Sequence, residues 1–432
     1  MRIYAPLCAL LLATACAAGP DYVRPEVEAP EAFVSQHVLT ALAKAEKEKV
    51  ETTAPSDWWE GFQDPTLNQL VTVALAKNRS IQAAAARLTQ AEARYRAVDA
   101  NNALNIDAGI RGSAEQERGI GNNNVRENDE DLSGSIGFAL PIDITGKYRR
   151  QAEAAEAERE AAVAALRGTV LAVSTEVATE YLRMRGNQRQ LTLLEESVEL
   201  QEKTLSIVQT RFEAGLSPEL DLKRAEAAVA SLKADIPAQQ ESLSRARNRL
   251  ATLGGKFAGA YEAELQSRQP IPDYAGAIPL VLPGEVLQMR PDVQQAEAEL
   301  KQAIANIGVA KSEWLPAFDL AGQISIGSAS GGGATLDLLT GTLTALIEQA
   351  LFDGGARSAN IHAAKARAEE ALAVYYNTLL EAIEEVEATL LALEASQKRQ
   401  EALAIAVEAN KRSFEQAESL YRQGLTSFLD VV

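Results

Sequence analysis

Residues 356–423 read ARSANIHAAKARAEEALAVYYNTLLEAIEEVEATLLALEASQKRQEALAIAVEANKRSFEQAESLYRQ and contain neither proline nor glycine. Residues 147–213 also lack proline, and their only glycines are Gly168 and Gly186. At ~1.5 Å of rise per residue, each stretch would form a helix about 100 Å long, far beyond the usual length in globular domains. The sequence therefore predicts two long helical rods that need neighbours to pack against.

Apolar residues recur every seven positions along both stretches. The first series is Val170, Val177, Met184, Leu191, Val198, Leu205 and Phe212. The second series is Leu372, Leu379, Val386, Leu393, Val407, Phe414 and Tyr421, with Gln400 as the one interruption. A seven-residue apolar repeat makes helices supercoil left-handedly around one another. Both rods are therefore predicted to form coiled coils.

The two rods are copies of one another. A shift of 209 residues, from Phe212 to Tyr421, places the second apolar series on the first. The match continues past the rods, where Gly215, Leu220 and Asp221 correspond in order to Gly424, Leu429 and Asp430. A repeat period near 210 residues indicates a tandem duplication rather than a short-period solenoid. The two halves are therefore predicted to share one architecture.

Each half carries alternating apolar and polar residues ahead of its rod, over about 103–143 and about 316–351. Such alternation is typical of membrane β-barrel strands, although a soluble, half-buried hairpin shows it too. Polar loops are predicted to join the strands at residues 115–130 and 325–335. Four strands cannot close a barrel, and open sheet edges cannot face lipid. If these strands cross a membrane, several chains must share one barrel.

The amino terminus indicates export. Arg2 precedes an apolar stretch, and small residues lie just ahead of Cys16, which predicts a signal peptide over residues 1–15. A lone cysteine directly after an export cleavage site is the usual acceptor for bacterial lipidation, so Cys16 is the predicted lipidation site. Here Leu12 lies four residues before the cysteine, and Ala13 occupies the usual leucine position. Ala13 and Ala15 also fit ordinary signal peptidase, which would leave Cys16 unmodified.

Composition argues against several classes of function. Lys and Arg total 42 against 60 Asp and Glu, a net charge of −18, which disfavours nucleic acid as a partner. No uncharged apolar stretch of membrane-spanning length follows the amino terminus, so no transmembrane helix is predicted. His37 and His362 are the only histidines, and neither belongs to a Glu-x-x-His metal pair. We therefore expect no enzyme, no metal and no cofactor.

The chain divides in sequence into successive segments. Residues 16–63 form an amino-terminal extended segment, 64–256 the first repeat, 257–284 a linker and 285–432 the second repeat. Within the first repeat we predict one helix from about Leu67 to Val98, the rod 147–213 and a returning helix over 218–252. Within the second we predict a helix, strands, the rod 356–423 and a shortened returning helix. By internal symmetry about 29 more residues of returning helix would be expected after Val432.

Aromatic residues precede the first predicted helix. Trp58, Trp59 and Phe62 lie just ahead of Asp64 and Pro65. Their place between an extended segment and a helix predicts an aromatic anchor that packs against the middle of the rods. A ligand-binding aromatic box is the alternative.

Five short motifs carry a resemblance that spans the whole chain. They are Gly19-Pro20-Asp21-Tyr22, Trp58-Trp59, Arg211-Phe212-Glu213-Ala214-Gly215, Arg290-Pro291-Asp292 and Phe352-Asp353-Gly354-Gly355. In this order and with the duplication, the chain resembles a TolC-like outer membrane factor of the OprM and NodT type. Such proteins are the outer-membrane lipoprotein components of RND-type tripartite efflux pumps.

The resemblance implies a mixed, mostly α fold and a homotrimer. Its tandem-duplicated coiled-coil helices would form an α-helical barrel in the periplasm. Its four β-strands per chain would join those of two other copies in one 12-stranded barrel embedded in outer-membrane lipid. The function implied is a passive exit duct for drugs and other small solutes, docked on a periplasmic adaptor and an inner-membrane RND-type pump. Lipid on the chain's amino terminus would anchor it to the outer membrane.

The resemblance also implies roles for the turns that end the rods. Gly215, Leu220, Asp221 and Gly424 would form the helix tips that meet the adaptor. Leu429 and Asp430 would line the periplasmic entrance, where a threefold ring of leucine excludes water and a ring of aspartate attracts cations. The alternative is that both aspartates only cap the first turn of the following helix, where a carboxylate is favoured by the helix dipole.

Two other functions are compatible with the same sequence features. One is the outer-membrane conduit of a type I protein secretion system. The other is a periplasmic coiled-coil scaffold, in which the alternating segments form a soluble β domain and no pore exists. A scaffold would remain soluble without detergent, whereas a barrel would not.

Overall fold

The computed structural model describes residues 18–26, 30, 32–35, 37–38, 57–118, 126–275, 283–331 and 334–430. The predicted signal peptide and Cys16 lie outside the described residues. The described chain is mostly helical and includes one sheet of four strands, so the predicted fold class is confirmed.

The elements follow one another in the same order in each half. In the first half, α1 is Pro65–Lys77, α2 is Arg79–Ala100, β1 is Asn105–Arg118, β2 is Arg126–Pro141, α3 is Lys147–Glu213 and α4 is Glu219–Leu253. In the second, α5 is Pro283–Met289, α6 is Pro291–Ser312, β3 is Ala317–Gly331, β4 is Ala334–Glu348 and α7 is Ala356–Gln423. Short 3-10 helices occupy Trp58–Phe62 and Phe428–Asp430. The helix–hairpin–rod order of the first half thus recurs in the second.

The chain divides into two compact units, and each unit draws on both repeats. The sheet unit contains the described residues within 1–27, 86–165 and 291–379. The tip unit contains those within 28–85, 166–290 and 380–432. Matching parts of the two sequence repeats therefore pack together within each unit.

In the sheet unit, the four strands form an antiparallel sheet in the order β1-β2-β3-β4. The register places Ile106 opposite Phe138, Phe138 opposite Gly322, and Gly322 opposite Leu343. Side chains alternate between the two faces of a strand, so these pairs define one face of the sheet. The large residues of that face are exposed in the single chain: Ile106, Ile110, Leu132, Ile136, Ile324, Ile326, Leu339, Leu343 and Ile347.

The opposite face of the sheet is mostly polar. By the same register it carries Asn105, Asp107, Arg111, Ser133, Ser135, Asp319, Gln323, Ser325, Thr340, Thr342 and Thr344, and its apolar residues include Leu338 and Leu346. The sheet therefore has one apolar face and one polar face, and its edge strands are β1 and β4.

The strands run further than the sequence indicated. The predicted polar loop at 115–130 is mostly strand, because β1 continues to Arg118 and β2 begins at Arg126. The predicted loop at 325–335 is also mostly strand, since β3 ends at Gly331 and β4 begins at Ala334. These loop predictions were wrong because an antiparallel ladder is held by backbone hydrogen bonds and does not require apolar side chains.

The prediction of a single helix from about Leu67 to Val98 was also wrong. The structure has two helices there, α1 and α2, which are separated at Asn78. Asn78 has extended backbone angles, φ −62° and ψ 132°. Its side-chain Oδ1 accepts a hydrogen bond from the backbone N–H of Ser80 at 2.8 Å and so caps α2. Its Nδ2 donates to the carbonyl oxygen of Leu253 at 2.9 Å. These two bonds hold Asn78 at the start of α2 and against the end of α4, so the chain forms two helices here instead of one.

The core of the tip unit lies where α1, α3 and α4 meet. Its buried members include the heptad residues Val177, Met184 and Leu191 of α3. Trp58, Trp59 and Phe62 pack against this cluster, which confirms the predicted aromatic anchor. The heptad residue Val407 of α7 is instead 65 % exposed in the single chain.

One described helix, α3, is apolar enough over part of its length to cross a membrane by length and composition alone. The sequence predicted no such helix. Val173, Val177 and Ala178 of α3 are buried in the tip-unit core, so the apolar character of this stretch also serves packing.

A buried polar network fixes the start of α1 within this core. The Tyr181 hydroxyl donates to Oδ2 of Asp64 at 2.6 Å, and Oδ1 of Asp64 accepts from the Thr66 backbone N–H at 2.8 Å. The guanidinium of Arg185 donates to the Tyr181 hydroxyl oxygen. Burial, followed by the hydrogen bond to Asp64, raises the pKa of Tyr181 to about 12. Tyr181 is therefore a neutral donor at physiological pH.

Tyr181→Phe should lower the stability of the protein measurably. The change removes the bond from the hydroxyl to Oδ2 of Asp64 and the bonds that the hydroxyl accepts from buried Arg185, which costs about 1–3 kcal/mol. Denaturant unfolding should show this loss, whereas Tyr376→Phe, at a ring that is 39 % exposed, should change stability little. Equal effects of the two substitutions would contradict a structural role for the network.

Candidate functional site: the paired helix tips

The first rod ends in a glycine turn. The backbone N–H of Leu216 donates to the carbonyl of Arg211 at 2.8 Å, and that of Gly215 donates to the carbonyl of Phe212 at 2.9 Å. This pair of bonds is the Schellman motif, which terminates a helix at a residue in the left-handed conformation. Gly215 has φ +72°, a conformation that disfavours side chains.

The second rod ends in the same way. The N–H of Leu425 donates to the carbonyl of Leu420 at 2.9 Å, and that of Gly424 donates to the carbonyl of Tyr421 at 2.9 Å. Gly424 has φ +79°. The duplication therefore extends to the hydrogen bonds that end each rod. Contact of either turn with an adaptor stays a prediction.

The aspartates after the turns take part in local capping. In the first tip, the Ser217 hydroxyl donates to Oδ2 of Asp221 at 3.3 Å, at the start of α4. In the second tip, Oδ2 of Asp430 accepts from the Ser427 N–H at 3.1 Å and the Ser427 hydroxyl at 2.9 Å, and also from the Thr426 hydroxyl. The bond from the Thr426 hydroxyl, with those from Ser427, lowers the pKa of Asp430. Asp430 therefore carries its negative charge at physiological pH while it caps the turn.

The leucines beside these aspartates are exposed. Leu220 is 57 % exposed and Leu429 is 64 % exposed, and Leu216 and Leu425 are exposed as well. Each tip therefore presents two apolar side chains that contact little within the single chain.

The two tips are joined through Arg211 and Tyr421, a contact named here the tip latch. A terminal guanidinium nitrogen, Nη1, of Arg211 donates to the carbonyl oxygen of Tyr421 at 3.0 Å, at the carboxyl end of α7. The Arg211 guanidinium also lies 4.9 Å from the centroid of the Tyr421 ring. A cation is favoured both at a helix carboxyl end and over an aromatic face. Phe428, which is buried, packs against Tyr421 with ring centroids 5.9 Å apart.

Sequence reasoning missed the tip latch. Arg211 and Tyr421 lie at positions where the two repeats differ: under the shift of 209, Arg211 corresponds to Leu420 and Phe212 to Tyr421. A departure from the internal duplication beside a matched turn was the available signal.

The site offers no recognisable chemistry. Within the described ranges, no three His, Cys, Asp or Glu residues are placed to hold a metal ion together. The tips instead present exposed leucines, capped aspartates and an arginine that joins the two rods. Long paired rods, a sheet with unlike faces and such tips define the class of a channel-forming subunit.

Comparison with known proteins identifies the family. Residues 70–256 and 282–432 match the family described as outer membrane efflux protein. The chain belongs to this family. It is therefore a channel-type efflux protein of the outer membrane and not an enzyme.

Individual relatives support the same conclusion. The chain is 28 % identical to nodulation protein T of Rhizobium leguminosarum bv. trifolii over 100 % of this chain and 90 % of that protein. It is 27 % identical to the cation efflux system protein CusC of Escherichia coli O6:H1, over 99 % and 90 % of the two chains. The solved structure of the outer-membrane channel OprN superposes with a TM-score of 0.87 at 30 % identity, covering 96 % of this chain and 92 % of that chain.

Proposed function

We propose that three copies of this chain form one outer-membrane duct, which is the exit for drugs and other small solutes from a tripartite efflux pump. The observation that carries this proposal is the sheet with one apolar face, one polar face and two open edges. An apolar outer face suits lipid and a polar inner face suits a water-filled lumen. Unpaired strand edges cannot face lipid, so β1 of one copy must pair with β4 of the next.

The partners proposed are a periplasmic adaptor and an inner-membrane RND-type pump. Two relatives are named for the efflux of cations and of antibiotics, and both are small solutes. The exposed leucines at positions 216, 220, 425 and 429 provide apolar surface at the tips for helices of an adaptor. The pump selects the solutes, and this chain conducts them.

The amino terminus is proposed to carry lipid on Cys16 after removal of residues 1–15. Intact-mass measurement of the mature protein isolated from outer membranes tests this step. A mass that corresponds to bare Cys16 would refute lipidation, and it would leave the barrel proposal unaffected.

The second helix tip is proposed to form the gate at the periplasmic entrance. Leu429→Ala should raise the resting conductance of the trimer in planar bilayers, because a ring of smaller side chains excludes water less well. Asp430→Asn should lower the preference for cations, since it removes three negative charges from the entrance while it keeps an acceptor for the capping bonds.

The duplication supplies matched controls for this test. Leu220→Ala and Asp221→Asn make the same changes at the first tip, which is not proposed to line the aperture. Their effects on conductance and ion preference should be smaller. Equal effects at both tips, or none at the second tip with the trimer intact, would leave Leu429 and Asp430 with a structural role only.

A further inference from the structure

The motif Gly19-Pro20-Asp21-Tyr22 lies in a stretch of chain, residues 18–24, that we name the amino-terminal strap. In the sheet unit, the strap contacts α3 of the first repeat and α6 of the second. The backbone N–H of Ala18 donates to the carbonyl of Thr145 at 3.1 Å, four residues after the end of β2. The strap thus begins close to the carboxyl end of β2.

Two glycines allow the strap to approach α6 closely. A Cβ added to Gly19 would lie 2.5 Å from the Cα of Gly308, and Gly19 also has φ +94°. A Cβ added to Gly308 would lie 2.6 Å from the carbonyl oxygen of Ala18 and 2.7 Å from Cγ of Arg150. Backbone therefore meets backbone at this crossing, and a side chain at either glycine would force the strap and helix apart.

Arg150 of α3 binds the strap with a buried guanidinium. Its side chain is 5 % exposed. It donates to the carbonyl oxygen of Ala18 at 3.1 Å, to that of Gly19 at 3.4 Å and to Oδ1 of Asp21 at 2.6 Å. Glu153 on the same helix accepts a further bond at 2.6 Å. A buried cation requires such partners, and most of these come from the strap.

The other end of the strap is held by α6. The Tyr22 hydroxyl donates to Oε1 of Glu297 at 3.0 Å, and Arg24 pairs with the other carboxylate oxygen of Glu297. The ammonium group of Lys301 lies 5.6 Å from the centroid of the Tyr22 ring. Charge on α3 and on α6 therefore meets opposite charge on the strap.

We propose that Arg150, Gly308 and Glu297 form a socket whose ligand is the chain's own amino-terminal strap, and that this socket fixes where the amino-terminal lipid enters the membrane. Two residues of extended chain span at most about 7 Å, so Cys16 must stay that close to Ala18, which is bound at Thr145. The socket then sets the distance between lipid and sheet. The membrane step rests on the lipid proposed above for Cys16, whereas docking of the strap does not.

Chymotrypsin tests docking in the assembled protein, because it cleaves after exposed tyrosine. We expect the Tyr22–Val23 bond of the wild-type trimer in detergent to be cut slowly. Gly308→Ala and Asp21→Asn should each speed this cleavage, the first at least tenfold. The second variant alters only the strap, whose Asp21 side chain is 86 % exposed, so it should not disturb helix folding. Gly186 is a helical glycine with open space around it, so Gly186→Ala is the matched control and should be cleaved after Tyr22 at the wild-type rate.

A photoreactive fatty acid tests the position of the lipid. Cells are fed a diazirine-bearing palmitate, which enters the lipoprotein and crosslinks to neighbouring residues on illumination. We expect crosslinks in the peptide that carries Ile142 and Ile144, which are exposed beside Thr145, and at least a fivefold loss of them in Gly308→Ala.

Two outcomes would overturn the proposal, and a third would remove its membrane step. Cleavage after Tyr22 at one rate in wild type and both variants would show that the socket does not hold the strap. Unchanged crosslinks in Gly308→Ala would show that the socket does not position the lipid. Failure to incorporate the fatty acid, with Tyr22 still protected, would refute lipidation and the membrane step while leaving the docked strap in place.

Discussion

Ile324→Arg is expected to prevent stable membrane insertion of the trimer. Ile324 lies near the middle of β3 on the apolar face, opposite Ile136 and Gly341. An arginine that faces lipid near the midplane of a barrel costs about 2–4 kcal/mol per chain, or roughly three times that for a trimer. The fraction of protein recovered from outer membranes as trimer should therefore fall sharply.

The neighbouring position provides the control for this substitution. Ser325 lies one residue along the same strand on the polar face, where it is paired with Ser135 and Thr340. Ser325→Arg should leave insertion close to wild type, because the side chain would project into water, and it should lower the conductance instead. Equal loss of insertion at both positions would contradict the assignment of the two faces.

Loss of the tip latch is the second large effect expected. Arg211→Met removes the guanidinium that binds the Tyr421 carbonyl and lies over the Tyr421 ring, while it retains much of the side-chain length. A hydrogen bond from a charged group contributes about 1.5–3 kcal/mol, which corresponds to a shift of roughly tenfold or more in an equilibrium. If the latch holds the tips closed, the open fraction of reconstituted channels should rise by about that factor.

An exposed arginine on the second rod serves as the comparison. Arg422 is 57 % exposed and pairs with Glu418 on its own helix, so Arg422→Met removes the same charge without touching the latch. Its channels should gate as the wild type does. A wild-type open fraction in Arg211→Met would exclude the latch from gating, and intact trimer on native gels would exclude misfolding as the reason for any change.

The elements that define the fold class could be predicted from the sequence because their signals are local. The seven-residue periodicity of Val177, Met184 and Leu191, and the alternation along β3, depend only on neighbours in the chain. The glycines of the tip turns could also be identified, since the duplication aligns Gly215 with Gly424. These signals repeat once per half, which strengthens each of them.

Features that depend on distant residues could not be predicted. The break at Asn78 depends on the carbonyl of Leu253, and the tip latch depends on two residues that lie 210 positions apart. The socket of the strap brings Arg150 to residues 18–21, and nothing local to Arg150 indicates this partner. The full length of the strands was not predicted because their polar ends lack apolar alternation, although the backbone ladder continues to Arg118 and Arg126.

Stepwise chemical block of a single channel tests the central claim, that three chains surround one polar lumen. Thr342 lies on the polar face of β4, and Leu343, its neighbour, lies on the apolar face. In planar bilayers, Thr342→Cys channels should lose current in three equal steps when a charged, water-soluble methanethiosulfonate is added, while Leu343→Cys channels should not respond. A single step, or the same response at both positions, would contradict a lumen shared by three chains.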